Sequence, residues 1–350
     1  MYRQLVAVAP RKSALLPYQD VSQIHPGQVR VKVEYASPKH GSELAAFRGE
    51  SPHIADYYDK EWHAFLPRPE NDKISESFGS WNLGNQFVGI ITETGSEVEG
   101  FSVGDRVCGY GGIRETHVMH ANELLKVPDH MSWKSAVCYD PAHFALGGIR
   151  DAHIRPGDKV AIFGLGALGQ IATQMAKLAG ATYVAVVDPI EKRRNVALRA
   201  GADAAFDPTK EDVGLLLKKD TRKMGVDAII ETSANELALQ QALRGLAYGG
   251  TIAYVGWARP FKGGMDWGRE AHFNNAKIIF SRACSEPNPD HPRWDFQRIK
   301  DTCWELLSAG KINCEEIIDP VVPFAQAAEA YEQYVDQRPD KSIKLGIAFV

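Results

Sequence analysis

The residues with the clearest chemical pattern are glycines. Gly164-Leu165-Gly166-Ala167-Leu168-Gly169 follows the apolar run Lys159-Val160-Ala161-Ile162-Phe163 and opens a helical stretch, Gln170 to Ala179. In a strand–turn–helix context the first glycine permits a tight turn and the second lets backbone approach a pyrophosphate. The third lets helix and strand pack closely. The phosphate charge then lies on the helix N-terminus. Asp188 stands 19 residues beyond Gly169, at the end of the next strand. A carboxylate there accepts hydrogen bonds from both ribose hydroxyls and repels a 2′-phosphate, so the expected cofactor is NAD rather than NADP. Arg193 either reaches the ribose or a phosphate, or is one of three solvated helix charges with Lys192 and Arg194.

These residues need a frame. Gln28 to Tyr35, Phe87 to Gly95 and Thr116 to His120 alternate apolar and polar with period two, as half-buried strands do. The first 130 residues therefore read as β-rich, a barrel or sandwich. About residues 50 to 80 form an aromatic, Pro-rich insert without a clean period. From residue 131 strands and helices alternate. A helical stretch spans Lys134 to Asp151, a strand Tyr183 to Val187, and a charged helix Glu191 to Ala200. Strands at Ala228 to Glu231 and Thr251 to Gly256 flank a helix from Glu236 to Leu246, and Lys277 to Phe280 is a last sheet strand. Buried strands in βαβ succession imply a parallel, doubly wound sheet. The tail carries helices around Cys303 and Ala327 and a closing strand, Ile343 to Val350.

Composition excludes several classes. The 350 residues carry 40 Lys+Arg against 44 Asp+Glu, with the charge spread along the chain, so neither nucleic acid nor an anionic membrane is an expected partner. No uncharged apolar run reaches the roughly 18 residues of a membrane span, and the first residues read as a strand rather than a signal peptide. The five cysteines, at 108, 138, 284, 303 and 314, contain no CxxC pair. That excludes a paired-cysteine zinc ribbon and a disulfide framework, and fits a reducing compartment, so a cytoplasmic location is expected.

Gly89-Ile90-Ile91-Thr92-Glu93-Thr94-Gly95 and Gly104-Asp105-Arg106-Val107, followed by Pro156-Gly157-Asp158-Lys159-Val160 and the glycine loop, resemble the medium-chain dehydrogenase/reductase superfamily over nearly the whole chain. The resemblance implies an α/β protein with a GroES-like β-rich catalytic domain (1–145 and 296–350) and a Rossmann NAD-binding domain (146–295). It implies hydride transfer between a carbinol or carbonyl carbon and nicotinamide, and a homodimer or homotetramer formed through the sheet edge near Lys277 to Arg282. The cofactor set it implies takes in Gly164, Gly166, Ala167, Leu168, Gly169, Asp188, Arg193, Thr232, Val255 and Gly256.

Zinc members of that superfamily carry Cys-Gly-Ser/Thr-Asp, Gly-His-Glu, and a Cys or Glu before the cofactor domain. Here His40-Gly41-Ser42-Glu43, Gly84-Asn85-Gln86 and Tyr139-Asp140-Pro141 stand in those places, and the four-cysteine structural lobe is missing. Asn and Gln are poor zinc ligands. The chain therefore reads as a zinc-independent member whose proton chemistry falls to side chains. His40 is the expected base. Ser42 is the expected proton relay, and Lys39 the charge that stabilises an alkoxide. Glu43, Asn85, Gln86 and Asp140 would orient substrate hydroxyls. Against these stand plainer readings. Glu43 pairs with Arg48 or caps a helix begun at Ser42, Asn85 and Gln86 satisfy backbone groups, Lys39 faces solvent, and His40 is a buried structural histidine. Tyr58, Trp62, His63, Trp81, Trp257, Arg259 and Trp267 supply aromatic and polar groups suited to a sugar, polyol or cyclitol ring. The alternatives to an NAD-dependent secondary-alcohol dehydrogenase are a zinc-free enoyl or quinone reductase and a non-catalytic NAD-binding protein.

Overall fold

The computed structural model describes residues 1–21, 23–69, 77–257 and 260–349. The chain folds as two units, Met1–Asp129 with Ile318–Val350, and His130–Ile317. The first opens with the antiparallel pair β1 (Tyr2–Ala9) and β2 (Lys12–Tyr18). There follow β3 (Gln28–Ser37), α1 (His40–Phe47), β4 (Asp56–Asp59), β5 (Ala64–Pro67), β6 (Gln86–Thr94), β7 (Arg106–Tyr110), β8 (Thr116–His120) and β9 (Leu125–Lys126). The second contains α2 (Trp133–Ala136), α3 (Tyr139–Asp151), β10 (Lys159–Phe163), α4 (Ala167–Leu178), β11 (Tyr183–Val187), α5 (Glu191–Arg199) and β12 (Ala204–Phe206). It continues with α6 (Val213–Asp220), β13 (Val226–Glu231), α7 (Glu236–Gly245), β14 (Leu246–Tyr254), α8 (Glu270–Phe273), β15 (Lys277–Phe280) and α9 (Phe296–Ser308). The tail returns to the first unit as β16 (Ile318–Pro323), α10 (Ala327–Tyr331) and β17 (Lys344–Ala348).

In the first unit the sheet order is β16-β17-β3-β6-β7-β9, with β8 also paired to β3. The period-two pattern of β3 buries Val29, Val31 and Val33 and turns Lys32 to solvent. Those valines join Leu5, Phe87, Ile91, Leu345 and Ile347 in one core. Helix α1 docks through Ala45, Ala46 and Phe47, and the Phe47 ring meets Tyr331 edge-on at 4.8 Å. The tail is thus part of the wall that holds α1.

The second unit carries a six-stranded sheet in the order β12-β11-β10-β13-β14-β15, every neighbouring pair parallel. Val160, Ala161, Ile162 and Phe163 of β10 are fully buried, as a strand covered on both faces requires. The strand order reverses between β10 and β13, and ligands bind at the carboxyl ends of strands at such a point.

Three expectations from sequence change. The segment Lys134 to Asp151 is two helices, α2 and α3, broken at Val137 and Cys138, and Pro141 falls in the first turn of α3, where its missing N–H costs little. Residues 130–145 and 296–317 pack with the parallel-sheet unit instead of the β-rich one. Helix α3 is continuous across residue 145 and lies on α4 and α9, and Gln174 exchanges two hydrogen bonds with the Asn313 backbone, at 2.9 and 2.8 Å. The insert is not wholly irregular: β4 and β5 form a hairpin whose turn is fixed by Asp59 Oδ1, which accepts the N–H groups of Glu61 and Trp62, both at 2.9 Å.

Phe47 is fully buried and anchors α1. Phe47→Ala is expected to destabilise the first unit by about 3–5 kcal/mol. Urea unfolding followed by circular dichroism checks this, and an unchanged midpoint would contradict the packing described.

Candidate active site

The cofactor residues come together in the second unit. Gly164 directly follows β10 at φ +85°, and a Cβ there would lie 2.7 Å from the Ser233 nitrogen. A Cβ on Gly169 would lie 1.9 Å from the Gly164 carbonyl oxygen, so no side chain fits. Gly166, the N-cap of α4, is different: nothing lies within 4 Å of its absent Cβ. That leaves room for a ligand over the first N–H groups of α4, at Ala167, Leu168 and Gly169, which have no partner within the helix. These residues suit a dinucleotide pyrophosphate.

Asp188 is 4% exposed. Its Oδ2 accepts from Leu165 N–H at 2.7 Å and its Oδ1 from Ile190 N–H at 2.8 Å. Each oxygen keeps a second lone pair, as a ribose diol requires. Arg193 is not a solvated charge, because its Nη1 lies 3.8 Å from Asp188 Oδ2 with the side chain 15% exposed. Arg194 donates to the Asp188 carbonyl at 2.6 Å. Thr232 Oγ1 donates to the Gly164 carbonyl at 2.8 Å, and Val255 and Gly256 both donate their N–H groups to the Glu231 carbonyl. Gly164 to Gly169, Asp188, Arg193, Thr232, Val255 and Gly256 therefore share one end of the sheet.

In the first unit the expected catalytic residues cluster around Glu43. This carboxylate is buried, and it bridges two segments: Oε2 accepts from Lys39 N–H at 2.9 Å and Oε1 from Gly84 N–H at 2.8 Å. Only glycine fits at 84, where φ is +127° and a Cβ would lie 2.5 Å from the Ile113 nitrogen. Burial pushes the Glu43 pKa up, while the two N–H groups, the Tyr331 phenol and the Lys344 ammonium pull it back. Of its two plain readings the capping one holds, on a helix that begins at His40 rather than Ser42: Glu43 reaches back to Lys39, the N-cap of α1, whereas Arg48 goes to Asp336, Nε to Oδ1 at 2.5 Å. Gly84 leads directly into Asn85 and Gln86. The Asn85 backbone is held by Ser37 and Gly111, at 3.1 and 3.0 Å, but its buried Nδ2 has no partner among the described residues. An orphan amide donor suits an oxygen-bearing ligand.

His40 is held by the closing strand. Its Nε2 accepts from Leu345 N–H at 2.9 Å, which places the proton of the neutral ring on Nδ1. With Nε2 engaged in this way, Nδ1 is the ring nitrogen left to face a ligand, as a donor. Lys344, 3% exposed, donates Nζ–H to the Pro38 carbonyl at 2.5 Å, and Ser37 Oγ donates to the Leu345 carbonyl at 2.7 Å. These β17 contacts lie outside any motif, and only an isolated lysine in an apolar closing strand hinted at them. Lys39 and Ser42 are half-buried. The donor set at the first two metal-ligand positions, an engaged imidazole and two neutral amides, does not suit zinc. Among the described residues no three His, Cys, Asp or Glu side chains are grouped to hold a metal ion.

Asp140 belongs to the other unit, buried in the first turn of α3 beside Tyr139, whose ring meets those of His143 and Trp304 at 4.1 and 5.3 Å. His143 is a core residue, and His117 is another: stacked on Phe87, it is pushed down to about 3 by burial. Of the aromatic set, Trp81 packs against the first core, while Tyr58, Trp62 and His63 lie on the β4–β5 hairpin with Trp62 75% exposed. Trp257 and Trp267 are half-exposed in the second unit, and Arg259 lies outside the described residues. No helix among the described residues is long and apolar enough to cross a membrane.

Comparison with known proteins places these features. Residues 25–129 match the alcohol dehydrogenase GroES-like domain and residues 167–294 the zinc-binding dehydrogenase family. A D-guloside 3-dehydrogenase of Escherichia coli strain K12 is 55% identical over 350 residues, covering 99% of this chain and 100% of that one. The crystal structure of 2R,3R-butanediol dehydrogenase from Bacillus subtilis shares the fold at TM-score 0.77 and 20% identity, over 99% of both chains. So does a protein described as a short chain alcohol dehydrogenase from E. coli CFT073, complexed with NADH, at TM-score 0.74 and 20% identity over 99% of each chain. The glycine turn, the parallel sheet and the GroES-like unit are those of an oxidoreductase, and the chain belongs to the medium-chain dehydrogenase/reductase superfamily as an enzyme of the alcohol dehydrogenase type.

Proposed function

We propose that the enzyme oxidises a secondary hydroxyl of a sugar-like substrate, a pyranoside of the guloside kind, with NAD as hydride acceptor and without catalytic zinc. The observation that carries the substrate class is the 55% identity with a D-guloside 3-dehydrogenase across 99% of the chain. NAD is supported by the Asp188 carboxylate, whose charge opposes a 2′-phosphate. Zinc independence is supported by the amides at Asn85 and Gln86 and by the Leu345 contact that occupies His40 Nε2. The exposed edge strand β15, with Phe280 81% and nearby Phe273 77% exposed, supports a homodimer or homotetramer. Five free cysteines, four of them buried, support a cytoplasmic location.

Oxidation removes a hydride from carbon and a proton from oxygen. The bound dinucleotide supplies the hydride acceptor. The chain must stabilise negative charge as it develops on the substrate oxygen and must carry the proton away. His40, fixed by Leu345 with its proton on Nδ1, donates to that oxygen. Lys39 adds positive charge, Ser42 relays the hydroxyl proton towards solvent, and Asn85 Nδ2 donates to a neighbouring hydroxyl. Glu43 keeps these groups in register without touching substrate.

Two measurements check this reading. Dinucleotide reduction followed at 340 nm, across gulosides, other pyranosides, cyclitols and simple alcohols, is expected to favour pyranosides over butan-2-ol by at least about 100-fold in kcat/KM. Comparable turnover of the simple alcohol would contradict the substrate class. Asp188→Gly is expected to raise the KM for NAD by roughly tenfold and to erase most discrimination against NADP. An unchanged preference would remove Asp188 from its role.

A further inference from the structure

One buried acid is used by nothing described so far. Glu231 closes β13, is 0% exposed, and lies in parallel register with Phe163 of β10 and Tyr254 of β14. It sits at the reversal of strand order, beside the glycine turn. Its Oε1 accepts from Ser233 N–H at 2.9 Å and from the Ser233 hydroxyl, and its Oε2 from Ala234 N–H at 3.2 Å. Its own carbonyl accepts from Val255 and Gly256, at 2.8 and 3.0 Å. The segment it holds is the one that limits the glycine turn, since Ser233 is the atom neighbour that forbids a side chain at 164, and Ala234 plays the same part at Gly256. Ala234 also sits at φ +55°, a conformation that alanine adopts only when held there.

We propose that Glu231 is a positioning residue for the dinucleotide site: its carboxylate pins residues 232–234 against the glycine turn, so cofactor affinity follows the charge state of this one group. This rests on the reading that a nicotinamide dinucleotide binds at the turn. The anion accepts three donors. Protonation turns one oxygen into a donor facing the Ala234 N–H or the Ser233 pair, and the loop loses an anchor. Tyr254, from β14, is the titratable side chain facing it, and its buried hydroxyl has no hydrogen-bond partner among the described residues. No cation among them pairs with Glu231. Burial without a counter-charge pushes the acid up to about 7 despite the three donors. The sign follows: the anchor is complete above neutral pH and is lost as pH falls through about 7.

The test is NADH binding to the intact enzyme, read by fluorescence titration from pH 6 to pH 8.5, with circular dichroism confirming the fold at each pH. Wild type is expected to bind about three- to tenfold more weakly at the acid end. Glu231→Gln is expected to bind weakly with no such pH dependence. Ser233→Ala, which removes one donor to the anion, is expected to move the midpoint to higher pH. That variant keeps the test decisive if Glu231→Gln fails to fold. Wild-type binding without pH dependence would overturn this proposal while leaving the dinucleotide reading intact, and so would an unmoved midpoint in Ser233→Ala. Failure of wild type to bind dinucleotide at any pH would overturn both.

Discussion

The buried carboxylate of Glu43 is the contact on which the catalytic unit depends. One oxygen holds the N–H that begins α1 and the other holds the N–H of Gly84, so a single side chain sets the distance between two loops. Lys39, His40 and Ser42 ride on the first, and Asn85 and Gln86 on the second. Removing the carboxylate would leave two backbone donors unsatisfied in the interior, at about 1–3 kcal/mol each. The tail completes the arrangement from the other side. Strand β17 pairs with β3, and its Leu345 N–H fixes the His40 ring while Lys344 holds Pro38, the residue before the helix N-cap. A chain segment some 300 residues away in sequence therefore decides which nitrogen of His40 carries its proton.

The dinucleotide unit uses the same device twice. Asp188 and Glu231 are both buried, both stand at or just beyond the carboxyl ends of parallel strands, and both are satisfied chiefly by backbone N–H groups. Backbone donors neither move nor titrate, so they fix a carboxylate without neutralising it. For Asp188 this leaves a second lone pair on each oxygen, which is what the proposed ribose contact requires. For Glu231 it leaves an acid whose charge is held only by its hydrogen bonds. Glu43 and Asp188 each tie together segments distant in sequence, whereas the Glu231 carboxylate holds residues two and three places along its own chain.

Features carried by short-range pattern were legible in the sequence. The glycine turn, the strand before it, Asp188 and the βαβ succession depend on spacing and hydrophobic period, and the structure brings that set together. The period-two strands of the first unit were equally plain. Features set by tertiary contact were not. A motif position singled out His40, but the hydrogen bond that Leu345 donates to its Nε2 is marked by no motif. The hairpin at 56–67 has short strands and an Asx turn, too brief for a period to show. The border of the parallel-sheet unit was misplaced because α3 runs through residue 145 without a break. Glu231 was hidden as the last residue of an apolar strand, where a terminal acid reads as solvated.

The central claim is that side chains, not a metal, handle the proton and the developing charge at the substrate oxygen. Elemental analysis of the purified enzyme, paired with its turnover of a pyranoside after dialysis against a chelator, tests that claim most directly. The account predicts substoichiometric zinc and undiminished turnover. One zinc per chain, with activity lost on its removal and restored on its return, would contradict it.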